Sequence, residues 1–276
     1  MKIVVLVDNR TIDPGLETEH GLSVYLETEH YKCLLDTGAS DQFIRNAAKL
    51  NINLCDVDYA FISHGHADHV GGLSAFLKIN SKARIILSNN ALNQKLYSKR
   101  LGLHNISIDF DTEKMKDRLV FVEDEAHFEK DIHVFTSHTT QFPLPKGNRT
   151  LFKNDGSGMT ADDFNHELIV TFGTENLFVF TGCGHKGLLN ILETVKEKSM
   201  HSVRCVMGGF HLLDENDGFV YETDQELEES GKTLHTMFPQ TDFITGHCTG
   251  EHAFEVMKKE LEFRLSYFFT GYKLEI

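Results

Sequence analysis

The densest chemistry in the chain is the run SHGHADHVGGL from Ser63 to Leu73, in which three histidines and an aspartate fall within the six residues from His64 to His69. Imidazole and carboxylate are the ligands that zinc and similar divalent metals take at neutral pH. A turn between a strand and a helix can point His64 and His66 at one ion and aim Asp68 and His69 at a second, a few ångströms away. Gly65 lets that turn be tight, and Gly71 and Gly72 let the next helix approach closely. A solvated histidine-rich turn is the bland alternative, but isolated imidazoles are common and this spacing is a ligand pattern. Other chemistries lack a sequence basis: there is no G-x-S-x-G elbow, no P-loop and no G-x-G-x-x-G after a strand.

Something must hold that loop. Apolar runs rich in β-branched residues predict strands at Ile3–Val7, Leu22–Leu26, Lys32–Leu35 and Asp58–Ser63, the second and third forming a hairpin. Ser40 to Leu50 reads as a helix with Phe43, Ala47 and Leu50 on one face. A strand at Arg84–Leu87 leads into an expected Asn-capped helix from Asn90 to Gly102. Strands then follow at Leu119–Val122, His133–Thr136, Leu168–Phe172 and Leu177–Phe180, with a helix over about Leu188–Lys198. Ser202–Met207 and Phe243–Thr245 are strands, each followed by an amphipathic helix, and Phe263–Ile276 holds a closing strand. The acidic run Asp224–Glu229 is a solvated helix face, and DGSGM, Asp155–Met159, is a flexible loop. Strand clusters followed by helices, twice over, imply two sheets face to face with helices outside.

Composition bounds the rest. With four prolines in 276 residues and no single-sign tract, residues 1–276 read as one compact domain. A net charge of −14 repels phosphate backbones, so nucleic acid is not the expected partner. It leaves room for a small anionic substrate, whose approach two bound cations would favour. The apolar start MKIVVLV ends at Asp8, too short for an export signal or a span, and no stretch approaches the ~20 apolar residues that cross a bilayer. The five cysteines (Cys33, Cys55, Cys183, Cys205, Cys248) are scattered, with no C-x-x-C, which suits a reducing cytoplasm.

The segment His64-x-His66-x-Asp68-His69 resembles the H-x-H-x-D-H signature of the metallo-β-lactamase superfamily, and CLLDTG (Cys33 to Gly38) resembles its strand-ending D-T-G. VDN (Val7 to Asn9), EHGLS (Glu19 to Ser23), TGCGH (Thr181 to His185), GGFH (Gly208 to His211) and GHCTG (Gly246 to Gly250) are similar to the branch typified by dihydropterin-ribofuranosylaminobenzene-phosphate synthases. The resemblance implies an α/β, four-layer αββα sandwich. It implies two divalent metals, zinc first with manganese or iron as alternatives: His64 and His66 on one, and Asp68, His69 and His247 on the other. Cys183 stands where many members carry a bridging aspartate. It is either a soft ligand or a small core residue. The further histidine of the first metal, which many members place in a G-H-T-P-G-H-like segment, has no counterpart between His69 and Cys183. His138, His166 and His185 are the candidates, and His185 is favoured because it shares a turn with Cys183.

Asp36 is expected to accept hydrogen bonds from the metal loop instead of touching metal. His20 is a pocket-lining candidate. His211 corresponds to a proton-donating histidine of some phosphodiesterase members, and with Asp68 it makes up the expected catalytic pair. Three functions are consistent with these residues. The first is hydrolysis of an ester or phosphodiester of a small molecule, phosphorylated or not. The second is a pterin-type transferase, and the third a non-catalytic metal or redox sensor. β-Lactam hydrolysis is disfavoured, because fold alone does not determine function.

Overall fold

A computed structural model describes residues 1–276 except 93, 155, 157 and 215–217, together with the side chain of Lys114. Asp155 and Ser157 of the expected DGSGM loop therefore lie outside the described residues. One seven-stranded sheet runs, edge to edge, through Lys273–Glu275, Lys2–Val7, Ser23–Glu27, Lys32–Leu35, Tyr59–Phe61, Arg84–Ser88 and Leu119–Val122. A second runs through Leu265–Tyr267, Asp242–Thr245, Ser202–Met207, Asn176–Phe180, Ile169–Phe172, Ile132–Phe135 and Glu125–Phe128.

Period-two alternation sorts the strand residues into layers. In the first strand Ile3 and Val5 join a core shared with Val170, Phe178, Phe180 and Met207 of the second sheet, so the two sheets pack face to face. Val4 and Leu6 point the other way and pack with Phe43 and Phe76 of helices Gln42–Lys49 and Leu73–Ile79. Leu177 and Val179 likewise face Ile191, Leu234 and Met257, from helices Leu188–Lys198, Asp224–Met237 and Glu251–Leu261. Three separate apolar clusters between four layers make the αββα sandwich. The hairpin expected from the second and third strands is present, with Val24 opposite Leu35.

One expectation fails. The described residues between 90 and 102 do not form the Asn-capped helix: Lys95–Ser98 is a strand, antiparallel to Leu151–Asn154 and to His104–Asn105. Leu96 and Ser98 are buried while Lys95 is exposed, a period of two where a helix would need 3.6. With Met159–Ala161 these strands form a third, four-stranded sheet. A strand at Glu125–Phe128 also emerges from a region with little regular pattern.

The middle strands of each large sheet run parallel: Lys32–Leu35 with Tyr59–Phe61 and Arg84–Ser88, and Asn176–Phe180 with Ser202–Met207 and Asp242–Thr245. Their carboxyl ends lead into Asp36, the metal loop, Cys183, His211 and His247, the place where open α/β sheets put their ligands. The metal loop is fastened to the neighbouring Asp36–Ser40 turn: Thr37 N and Oγ1 donate to the His69 carbonyl (2.7 and 3.0 Å), and Leu22 N to that of Asp68 (3.0 Å). A Cβ on Gly72 would stand 2.1 Å from the Thr37 oxygen and 2.4 Å from that of Ser40, both backbone. Gly72→Ala is therefore expected to lower stability by about 1–3 kcal/mol, the usual cost of overpacking, measured by urea unfolding.

Candidate metal centre

Asp36 organises the loop from below. Fully buried, with a left-handed φ of 60°, it accepts from Ser63 N (2.7 Å), Ser63 Oγ (2.7 Å) and His69 Nδ1 (2.7 Å). Spending Nδ1 on Asp36 fixes the His69 ring so that Nε2 is presented to Cys183 Sγ at 3.1 Å and His247 Nε2 at 3.0 Å. His247 is oriented by Asn9, whose Oδ1 lies 3.2 Å from its Nδ1 and whose Nδ2 donates to its carbonyl at 2.9 Å. Asp68 completes this side, with Oδ2 3.3 Å from His247 Nε2 and 3.2 Å from His20 Nε2.

The other side is built from His64, His66 and His185. His64 Nδ1 bonds Ser63 Oγ (2.9 Å), leaving Nε2 3.0 Å from His66 Nδ1. His185 is held by Asn148 at Nδ1 (3.1 Å), by Glu167 at its backbone amide (2.7 Å), and by a parallel stack on Phe164 at 4.4 Å. Its Nε2 is buried without a hydrogen-bond partner among the described residues, as is Nε2 of His66. Of the three candidates for the further ligand, the fold brings His185 within ligand reach of His64 and Cys183. His166 uses both nitrogens structurally, accepting from Gly65 N (3.2 Å) and facing Asp162 (3.1 Å), although it shares a second such group with His66 and Asp162. His138 is exposed and bonds Thr136, remote from these groups.

Donor atoms of His64, Cys183 and His185, of His69, Cys183 and His247, and of His20, Asp68 and His247 each lie within 4.8 Å of one another. Nitrogens facing nitrogens at 3.0 Å, and buried ring nitrogens without a hydrogen-bond partner among the described residues, fit bound divalent cations. Protonation agrees. Burial, reinforced by neighbouring imidazoles, pushes His64 and His185 well below the histidine range, and burial lowers His66 as well. Burial opposes ionisation of Asp68, yet His69, His20 and His247 hold it well below the usual carboxylate range. Neutral imidazole at His64, His66 and His185 with an ionised carboxylate at Asp68 is the state that binds metal, whereas Asp36 and Asp68 favour the proton on His69.

The centre opens into a cavity of about 510 Å³ walled by His20, His66, Asp68, Cys183, His185 and His211 on the inner side. Ser98 and His104 of the third sheet, and Arg100 from the turn between their strands, also line the cavity. Cys248, Asp162, Glu167 and Asn9 also belong to this neighbourhood, and the sequence patterns did not single them out as site residues.

The same pKa shifts predict how the metal-free protein responds to acid. Below about pH 6.5 the unfolded chain protonates histidines that the native state keeps neutral: His64, His66, His185 and the half-buried His133, also lowered by burial. The unfolded state then binds more protons and stability falls with pH. Burial raises Glu167 to about 7 and Asp8 to about 6, and these work in the opposite sense. His69, which burial would lower but Asp36 and Asp68 raise, opposes too, mainly above pH 6.5. The histidines win between pH 6.5 and 5.5, at about 1.4 kcal/mol per pH unit for each net proton. A midpoint of thermal unfolding in chelator that stays level or rises over that interval would contradict this.

Comparison with known proteins agrees with the geometry. A family model described as the metallo-β-lactamase superfamily matches residues 16–146. The crystal structure of Tm1679, described as a metal-dependent hydrolase of the β-lactamase superfamily, is 31% identical and superposes with a TM-score of 0.82, covering 100% of this chain and 99% of that one. A Methanocaldococcus jannaschii protein named 7,8-dihydropterin-6-methyl-4-(β-D-ribofuranosyl)-aminobenzene-5′-phosphate synthase is 26% identical over 260 residues, 89% of this chain and 86% of that protein. A diphosphatase of the PhnP family, 14% identical with a TM-score of 0.52 over 100% of this chain and 96% of its own, shares the fold. With its H-x-H-x-D-H loop at the carboxyl ends of two facing sheets and a full-length relative at 31% identity, the chain belongs to the metallo-β-lactamase superfamily.

Proposed function

We propose that this chain is a metal-dependent hydrolase of a small-molecule ester or phosphodiester. The observation that carries the reading is the convergence of neutral imidazoles, an ionised aspartate and a thiol on one open cavity. His64 and His185, with His66 3.0 Å from His64, would hold one divalent cation and His69 and His247, with Asp68 beside them, the other; Cys183 lies within ligand reach of His64 and His185 and of His69 and His247. Zinc is the first choice and manganese or iron the alternatives; bound there, the pair supplies an acidified water and a counter-charge for the developing anion. Asp68 lines the cavity, where its carboxylate would orient the attacking water. His211 faces the same cavity with both ring nitrogens unpaired among the described residues, which supports a role in donating a proton to the leaving group. Substrate enters past the third sheet, and the acidic chain makes a small molecule the expected partner.

A second reading is a synthase joining a pterin to a phosphorylated aromatic donor, supported by the archaeal relative that carries such a name. Chelated and metal-reconstituted protein assayed on bis(p-nitrophenyl) phosphate separates the two. Turnover that vanishes on chelation and returns with metal supports hydrolysis. Metal-loaded protein that cleaves no ester yet couples the two aromatic substrates supports the synthase instead. Either reading expects two metal equivalents per chain by elemental analysis. His247→Ala should reduce the count to one, and a single equivalent unchanged by that substitution would rule out the paired site.

A further inference from the structure

Cys183 belongs to another set of side chains that no metal-loop motif includes. Its Sγ, Cys248 Sγ and a His211 ring nitrogen lie within 4.8 Å of one another, and all three residues are buried. Neither nitrogen of His211 has a hydrogen-bond partner among the described residues, and its backbone holds a left-handed φ of 51°. Such strain in a non-glycine residue persists only where the surroundings impose it. Three strand-end turns impose it here. Gly209 N donates to the Gly182 carbonyl (2.6 Å) and Phe210 N to Thr249 Oγ1 (2.9 Å), tying the GGFH turn to both neighbouring turns. The Cys248 thiol donates to the Cys183 carbonyl at 3.5 Å, and a Cβ on Gly209 would stand 2.2 Å from its sulfur. The turn leaves space for that sulfur and aims an unpaired imidazole at it.

We propose that Cys183, His211 and Cys248 form a sulfur-rich site for a thiophilic divalent cation such as cadmium, beside the histidine-rich pair. Two sulfurs and an imidazole are a soft donor set. Each thiol gives up its proton on ligation, so a dication entering with two thiolates is neutralised in place and two protons leave to solvent. A cation seated there takes Cys183 from the paired centre and His211 from the cavity, which would stop turnover. That consequence rests on the hydrolytic reading, whereas the binding does not.

The test is a titration of the full chain with cadmium chloride in a Cys55→Ser background, because Cys55 is the exposed thiol. Thiolate-to-cadmium absorption and proton release in weak buffer are the readouts. The expected result is a two-thiolate band, with Cys248→Ser losing about half its intensity and one of the released protons. His211→Ala should weaken cadmium binding at least as much as the about 10–100-fold that losing an outer partner of a metal ligand costs. A band and proton count unchanged by Cys248→Ser overturn the proposal, since Cys183 alone then accounts for the sulfur. If Cys248→Ser fails to fold by circular dichroism, the His211→Ala affinity decides: unchanged affinity overturns it. Loss of the hydrolytic reading would show as missing turnover with zinc and would leave the cadmium band in place.

Discussion

His211→Ala is expected to lower turnover on bis(p-nitrophenyl) phosphate by about 10²–10⁴-fold, the usual contribution of a general acid, while both equivalents of zinc stay bound. The residue lines the cavity, its ring centroid 4.2 Å from that of His185, and among the described residues neither nitrogen has a hydrogen-bond partner. A group that protonates a leaving oxygen matters most where that oxygen leaves reluctantly. The loss should therefore shrink along a series of aryl esters as the phenol becomes more acidic, and the slope of log rate against phenol pKa should steepen in the variant. A uniform loss across the series, with metals retained, would make His211 a positioning residue instead of an acid. Loss of one zinc equivalent would place it among the ligands of the paired centre and remove the proton-donating role.

The candidate metal loop was legible because its candidate ligands are adjacent in sequence: His64 to His69 presents four of them in six residues, and the expected chemistry follows from residue type. Asp36 was legible for a related reason, since a carboxylate closing a buried strand beside such a loop has few other uses. Cys248 and Asp162 were not. Each gains meaning only when the fold sets it against groups far along the chain, Cys248 against Cys183 and Asp162 against His66 and His166. The large sheets could be read from long apolar alternations, whereas the third sheet could not. Its strands are two to four residues long, and Lys95–Ser98 finds its main partner at Leu151–Asn154, over fifty residues away. An Asn before a mixed polar and apolar run and a Gly after it imitated helix caps, and non-local pairing overrode them.

Removing the Asp36 carboxylate should produce the largest loss of stability outside the hydrophobic core. Its two oxygens serve three buried donors, Ser63 N, Ser63 Oγ and His69 Nδ1, each at 2.7 Å. Asp36→Ala leaves them facing a void, and an abandoned buried donor costs about 1–3 kcal/mol. Alanine must also take the φ of 60°, which aspartate and asparagine tolerate better. A total of about 3–5 kcal/mol is expected for the metal-free protein in urea, in the range for breaking a buried charged pair. Asp36→Asn separates the structural task from the electronic one. The amide retains shape and an acceptor oxygen, so much of the stability should remain. It cannot match a carboxylate in fixing the His69 tautomer, and metal affinity should fall by about 10–100-fold, measured by competition with a chromophoric chelator. An Asn variant that keeps wild-type affinity while Ala unfolds would show that Asp36 supports the loop without tuning His69, and the carboxylate–histidine link would have to be given up.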